Sequence, residues 1–369
     1  MTAWRTFCDT NEDDAMKRRT FIQTLGAICL PSYDLKLFNS KWLAGVGGPG
    51  KPLEETNQRR GKYGVINRQG EIVIPPKFNY IYRFSEGLAS ARKWKKTGYI
   101  DMAGKWVIPP IFEVAREFKE GLAPVLVAHK WGYINRVGEM VIPAVYDEIY
   151  DFFDGLWMVG IGGKRGHIDK TWKWVIDPVY ETLEPFSEGL AAVKIDGKYG
   201  YIDKTGKVVI EPAYSYARWF KQGLAPAEKD EKWGYINKAG EVVVPHQFDD
   251  AEMIEDGMGW IAVDDLVGFI DVTGKVVIPP VYRCAHPFSE GLALVSRDGV
   301  NFEYINKAEK RVISLKEGRH GYPFSEGLAM INDNWKYGFI DRTGKWVIKP
   351  VYERASDFND GVSVVRFLS

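Results

Sequence analysis

Cysteine is almost missing from this chain. Of 369 residues only Cys8, Cys29 and Cys284 are cysteines, and only Cys284 falls in the repetitive part of the sequence. A disulfide framework within that part is therefore excluded, and Cys284 is expected as a buried or half-buried structural thiol. Histidine is equally sparse: His129, His167, His246, His286 and His320 are scattered, and no Cys/His spacing suggests zinc. A bias of charge is missing too. Lys plus Arg and Asp plus Glu number 49 each, which argues against a nucleic-acid binder but leaves room for a local basic face. No apolar run is long enough to span a bilayer. No HExxH, P-loop, G-x-S-x-G or dinucleotide fingerprint occurs. No cofactor and no metal are expected.

Glycine is abundant instead, at 38 residues, and aromatics reach 14%. They recur in one phrase: KYGVINRQGEIVIPP near the start, KWGYINRVGEMVIPA in the middle, KYGFIDRTGKWVIKP at the end. Gly64, Gly98, Gly132, Gly166, Gly200, Gly234 and Gly268 follow one another at 34 residues. Two further units at a spacing of 35 place Glu303 and Gly338 in the same slot. Such a period marks a repeat array, in which each unit buries its apolar face against its neighbours. The array spans 61–369.

One unit, GKYGYIDKTGKVVIEPAYSYARWFKQGLAPAEKDEK, shows the logic. Tyr201-Ile202 lies in a β-prone run, Asp203-Lys204-Thr205-Gly206 is a turn, and Val208-Val209-Ile210 returns as a strand before Pro212. Tyr214, Ala217 and Phe220, three apart, predict a short helical turn. Leu224-Ala225 opens a third strand. The Asp196-Gly197 step of the previous unit is a hairpin signal. Each unit thus reads as three antiparallel strands plus a helical turn. Nine such units predict an open, twisted β-solenoid, because nine blades would be an unusual propeller and propeller blades have four strands. A closed propeller-like ring is the alternative, since the chain starts on a middle strand and ends on the strand type that would precede it.

The slot after the central isoleucine holds Asn67, Asp101, Asn135, Asp169, Asp203, Asn237, Asp271, Asn306 and Asp341. This is turn chemistry rather than a calcium ladder, because Asp and Asn interchange and a Gly follows three residues on. The aromatic column ending in Phe220, with Phe84, Phe118, Phe152, Phe186, Ile254, Phe288 and Phe358, reads as core wedges between repeats. The fourth unit departs from the pattern at His167 and Trp172. The eighth departs most, with Glu303 and Glu309 in both glycine slots and SLKEGRHGYP in place of the Pro/aromatic segment.

Residues 1–30 form a leader and 31–60 a Gly/Pro-containing linker. MKRRTFIQTLGAIC, with Arg18, Arg19 and Phe21 ahead of a short apolar run, resembles a bacterial twin-arginine export signal. Periplasm or cell envelope is the expected location, with the cytoplasm as the alternative.

The repeat resembles the bacterial WG-repeat family, also called KWG repeats, through the motif K-[WY]-G-[YF]-I-[DN]-x-x-G-K-x-V-I-P. Lys130-Trp131-Gly132 and Lys232-Trp233-Gly234 carry the full Trp-Gly; Lys62-Tyr63-Gly64, Lys198-Tyr199-Gly200 and Lys336-Tyr337-Gly338 carry Tyr. The resemblance implies an interaction or surface module with no defining catalytic site. The expected function is a non-catalytic, exported scaffold for protein–protein interaction. A cell-wall glycan binder using exposed Trp94, Trp106, Trp157, Trp219 and Trp260 is the alternative, and a hydrolase across one groove of the array a more distant one. Neither a nucleic-acid partner nor a membrane span is expected.

Overall fold

The computed structural model describes residues 62–367. The leader, the linker and the signal residues Arg18, Arg19 and Phe21 lie outside the described residues. Those described form nine antiparallel sheets and no helix. Blade 1 consists of Tyr80–Ser85, Leu88–Lys93, Lys96–Asp101 and Trp106–Phe112, paired in that order. Blades 2 to 8 follow over 114–146, 148–180, 190–214, 216–248, 250–282, 284–314 and 319–352, each of four strands except the one at 190–214, which has three. Blade 9 is composite: Arg354–Ala355 and Val362–Arg366 join Tyr63–Asn67 and Ile72–Phe78 in one sheet.

That sheet corrects the open solenoid. Tyr63 lies opposite Arg366 and Asn67 opposite Val362, so the first and last strands seal a nine-bladed propeller. The helical turn is corrected as well. Tyr216–Ala217 is a two-residue first strand paired with the second at Glu228 and Ala227, and it raises the strand count to four. The three-residue spacing of Tyr214, Ala217 and Phe220 comes from a strand end, a short strand and an irregular crossing, each with one side chain aimed at the core.

The phenylalanine column is the core that was expected. Phe84, Phe118, Phe186, Phe220, Ile254, Phe288 and Phe358 are buried, and only Phe152 is half-buried. Phe220 sits 4.8 Å from the Tyr201 ring. The second and third strands are covered on both faces by neighbouring blades. The fourth strands are exposed at Val107, Val141, Val209, Val243, Val277 and Val347. Direct hydrogen bonds join successive first-to-second strand turns, from Ser85 Oγ to the Phe118 carbonyl (2.7 Å) and from Ser187 Oγ to that of Phe220 (2.6 Å). Blades converge there, so the first strands stand nearest the axis and the fourth strands form the rim. Proline pairs such as Pro109-Pro110 lie in those rim strands and remove donors from an exposed edge.

The glycine of the repeat phrase answers to the fourth strand. Opposite Gly234 that strand carries extra residues: Trp233 pairs with Phe248, but Tyr235 already pairs with Val244. The bulge leans over the third strand, and a Cβ on Gly234 would lie 2.5 Å from the Val244 carbonyl oxygen. In blade 7 this bulge is gone. Glu303 pairs with Ser314 and Tyr304 with Ile313 in step, which leaves room for the Glu303 side chain. The degenerate unit is thus a flatter blade with the same connectivity. Cys284 is buried there, as expected of it.

Candidate binding surface

Hairpin geometry sorts the turns onto two faces. The inner turns, between first and second strands, share one face with the outer turns, between third and fourth. The middle turns, between second and third strands, share the other with the links between blades.

On the first face the charges hold the ring. Each inner turn places a residue in the left-handed region: Glu86 (φ 54), Glu188 (φ 53), Asp256 (φ 48) and their equivalents. Its carboxylate accepts the N–H of the next blade's turn glycine and pairs with a cation on that blade's outer turn. Glu86 takes Gly121 N–H at 3.1 Å and Arg136 at 3.3 Å; Glu188 takes Gly223 N–H at 3.0 Å and Lys238 at 3.2 Å. Asp154 with Lys204, Asp256 with Lys307 and Glu290 with Arg342 repeat the arrangement. At blade 5 the acid slot is Gln222, and the matching cation slot of blade 6 is Val272: both charges are lost together. At the seal, Asp360 accepts from Gly87 N–H at 3.3 Å, but the cation slot is Met102.

The outer turns confirm the Asx column as turn chemistry. Asp203 Oδ1 accepts from the Thr205 (2.8 Å) and Lys207 (3.1 Å) N–H groups, and Asn237 Oδ1 does the same for Ala239 and Glu241. Trp172 (φ 67) and Glu309 (φ 58) adopt the turn conformation without glycine.

The middle-turn face is organised differently. At three junctions between blades, a carboxylate neutralises the lysine that begins the preceding third strand. Lys164 pairs with Glu181 (2.9 Å), Lys232 with Asp249 (2.6 Å), and Lys130 with Asp147. At the seal this slot holds the neutral Asn79, bonded to Lys62. Next to it, blade 1 carries Arg92, Lys93, Lys95 and Lys96 around its middle turn, whereas the middle turns of blades 5 and 6 read Asp230-Glu231 and Asp264-Asp265. Basic and acidic poles thus stand roughly across the ring from each other.

Between blades 9 and 1 lies a cleft of about 390 Å³ lined by Lys77, Arg92, Lys93, Lys105, Phe78 and Trp106, together with Asn79 and Gly104. No acid lines it, and those four cations make no ion pair among the described residues. Lys77 sits over the Phe78 ring (5.3 Å), and Trp106 meets that ring edge-on at 5.8 Å. At the end of the basic strand Trp94 is 73% exposed with φ 56, and Arg92 Nε–H donates to its carbonyl (3.1 Å). The left-handed φ is that of the middle turns in general, as at His129 (φ 61) and Trp335 (φ 66).

The five expected tryptophans therefore separate. Trp94 is exposed and Trp106 half-buried, both beside the cleft. Trp219 is half-buried, its indole N–H donating to Glu184 (3.1 Å). Trp157 and Trp260 are buried, on second strands with blades on both sides, and are not the exposed aromatics expected of them. Sequence reasoning missed Lys77, Asn79 and Lys105. The run Arg92-Lys93-Trp94-Lys95-Lys96, in a chain with no net charge, was the signal that marked the place. Of the histidines, His286 and His320 meet at 5.9 Å, and burial pushes His167 down to about 3, so that it stays neutral. Among the described residues no group of three or more His, Cys, Asp and Glu is placed to hold a metal ion, and no helix is long and apolar enough to cross a membrane.

Eight segments, 63–96, 98–128, 131–164, 166–199, 199–233, 233–266, 268–300 and 337–367, match the WG containing repeat model, which thus matches more than half of the chain. The unmatched stretch between the last two includes the flatter third and fourth strands of blade 7. No curated protein matches the chain. Among solved structures, a eukaryotic initiation factor is 11% identical over 78% of this chain and 95% of its own, with a TM-score of 0.54, a likeness of fold alone. Looser likenesses are the computationally designed Ika8 protein (12% identity, 69% and 95% covered, TM-score 0.43) and BamB from Moraxella catarrhalis (10%, 79% and 99%, 0.39).

Proposed function

Because the chain belongs to the family of WG containing repeats, folded as a closed nine-bladed ring, we propose that it is a non-catalytic scaffold that binds a protein partner through its middle-turn face. One observation carries this reading. The opposite face uses its charges on blade-to-blade contacts, whereas blade 1 holds a cluster of cations with no carboxylate partner among the described residues, beside an exposed tryptophan. Concentrated charge of one sign steers and orients a partner of the other, and a nearby aromatic supplies apolar contact. Nine near-equivalent blades offer no single constellation on which turnover would depend.

The twin-arginine pattern at Arg18 and Arg19 supports the envelope as the place of action. Changing both to Lys is expected to leave precursor in the cytoplasm of a bacterium that has the machinery, and unchanged fractionation would count against export. The scaffold reading is tested by affinity capture from envelope fractions with the wild-type chain. Capture of no partner, or a turnover abolished by one His or carboxylate substitution at unchanged melting temperature, would overturn it.

A further inference from the structure

We propose that the cleft between blades 9 and 1 is the partner's entry point, and that it takes an extended, acidic polypeptide segment rich in Asp and Glu. The inference rests on the scaffold reading and gives the partner its chemistry.

The argument starts from a departure within the repeat. Three junctions place Asp147, Glu181 or Asp249 to neutralise a lysine, whereas this one places Asn79 and the one beside Lys198 places Ser215; only here do further cations gather round the neutral slot. Substitution of an amide for a carboxylate removes the internal counter-charge just where Lys77, Arg92, Lys93 and Lys105 converge on one cavity. Cations of like sign held together repel one another, so an anionic ligand gains from all of them at once. Lys93 and Lys105 are exposed, so their charges reach solvent and keep three donors each for carboxylates. Phe78 and Trp106 floor the cleft, and Trp94 stands open at its edge to cover an apolar side chain that interrupts an acidic run.

The lining also speaks against a saccharide. Sugar recognition needs open aromatic faces and neutral groups matched to hydroxyls. Here Trp106 is half-buried and edge-on to Phe78, and Asn79, engaged by Lys62, is the sole amide in the lining. Nor does the segment add a strand at this rim, because Pro75-Pro76 removes backbone donors from the adjoining fourth strand. Side-chain charge, rather than backbone pairing, is what the cleft offers.

The experiment is a fluorescence-anisotropy titration of the full chain with labelled deca-glutamate. Three proteins are compared: wild type, the double variant Lys93→Glu/Lys105→Glu, and Lys198→Glu as a control cation in blade 4. The expected result is saturable binding that weakens at least tenfold in the double variant and less than twofold in the control, and that falls steeply with added salt. A second variant, Asn79→Asp, restores the missing acid and is expected to weaken binding several-fold; circular dichroism verifies that both variants keep the wild-type fold. Equal loss in the control, or no saturable binding, overturns the proposal. So does polygalacturonate binding through Lys93 and Lys105 where deca-glutamate does not. Undiminished capture of a protein partner by the double variant would sink the cleft and leave the scaffold reading standing; capture of no partner by wild type would sink the scaffold reading itself.

Discussion

The inner- and outer-turn face carries Glu86, Glu188, Asp256 and Glu290, each bonded to the next blade's backbone and to a Lys or Arg beyond it. On the middle-turn face, blade 1 gathers cations and blades 5 and 6 gather acids. The same repeat produces both. What differs is the neighbour within reach. An acid on an inner turn meets the turn glycine of the next blade, as at Glu86, Asp154 and Glu188, or, like Glu120, a lysine of that blade, so its charge is satisfied locally. A middle turn meets only the inter-blade link, and a change there, as at Asn79, leaves a cluster uncompensated. Charge that closes on itself holds the ring, and charge left open is available to a partner.

Substitutions separate these roles, beginning with one that serves both faces. Phe220→Ala empties a fully buried wedge between blades and is expected to cost about 3–5 kcal/mol in denaturant unfolding. Next, Gly234→Ala pushes a Cβ against the Val244 carbonyl and is expected to cost about 1–3 kcal/mol, whereas Glu303→Ala in the flat blade stays within about 0.5 kcal/mol; equal costs would remove the link between the glycine and the bulge. On the latch face, Asp256→Ala is expected to cost about 1–2 kcal/mol. Burial pushes the Asp256 carboxyl up, but the Gly291 N–H bond and Lys307 outweigh it and hold it below its ordinary 3.8. A depressed carboxylate stabilises above its unfolded value and loses that contribution as pH falls through the folded one. The melting-temperature gap between wild type and Asp256→Ala is therefore full at neutral pH and closes below 3.8. Installing the missing latch with Gln222→Glu and Val272→Lys is expected to raise stability by about 0.2–1 kcal/mol, less in high salt. Smallest of all, Lys93→Glu on the open face is expected to leave the denaturation midpoint within about 0.5 kcal/mol. A large loss there would mean that this charge, too, holds the ring.

Much of this architecture was legible in the residues. The period, the Asx turns, the phenylalanine wedges and the weak eighth unit are local patterns, and local hydrogen bonds enforce them. The seal was not, because Tyr63 and Arg366 pair across almost the whole chain and the phase of the repeat hints at closure without deciding it. The helical turn was misread because three-residue spacing is also what a two-residue strand and a crossing produce. For the surface, Trp94 and the basic run around it could be picked out, but Trp157 and Trp260 could not be recognised as buried: their strands are covered by neighbouring blades rather than by residues near in sequence. Lys77 and Lys105 joined the cleft only through the meeting of blade 9 with blade 1.

That composite blade sets a clock on folding. Tyr63–Asn67 is made early and its mate Val362–Arg366 last, with about 300 residues between them. At about 5–20 residues per second the early strand waits on the order of 15–60 s with an open edge. Unlike the proline-bearing rim, its run Tyr-Gly-Val-Ile-Asn has nothing to stop another chain from pairing with it. In a crowded synthesis the same five residues that fasten one molecule can fasten two, by taking the last strand of a neighbour. The ring thus carries a built-in route to domain-swapped assemblies, which dilution during refolding would suppress.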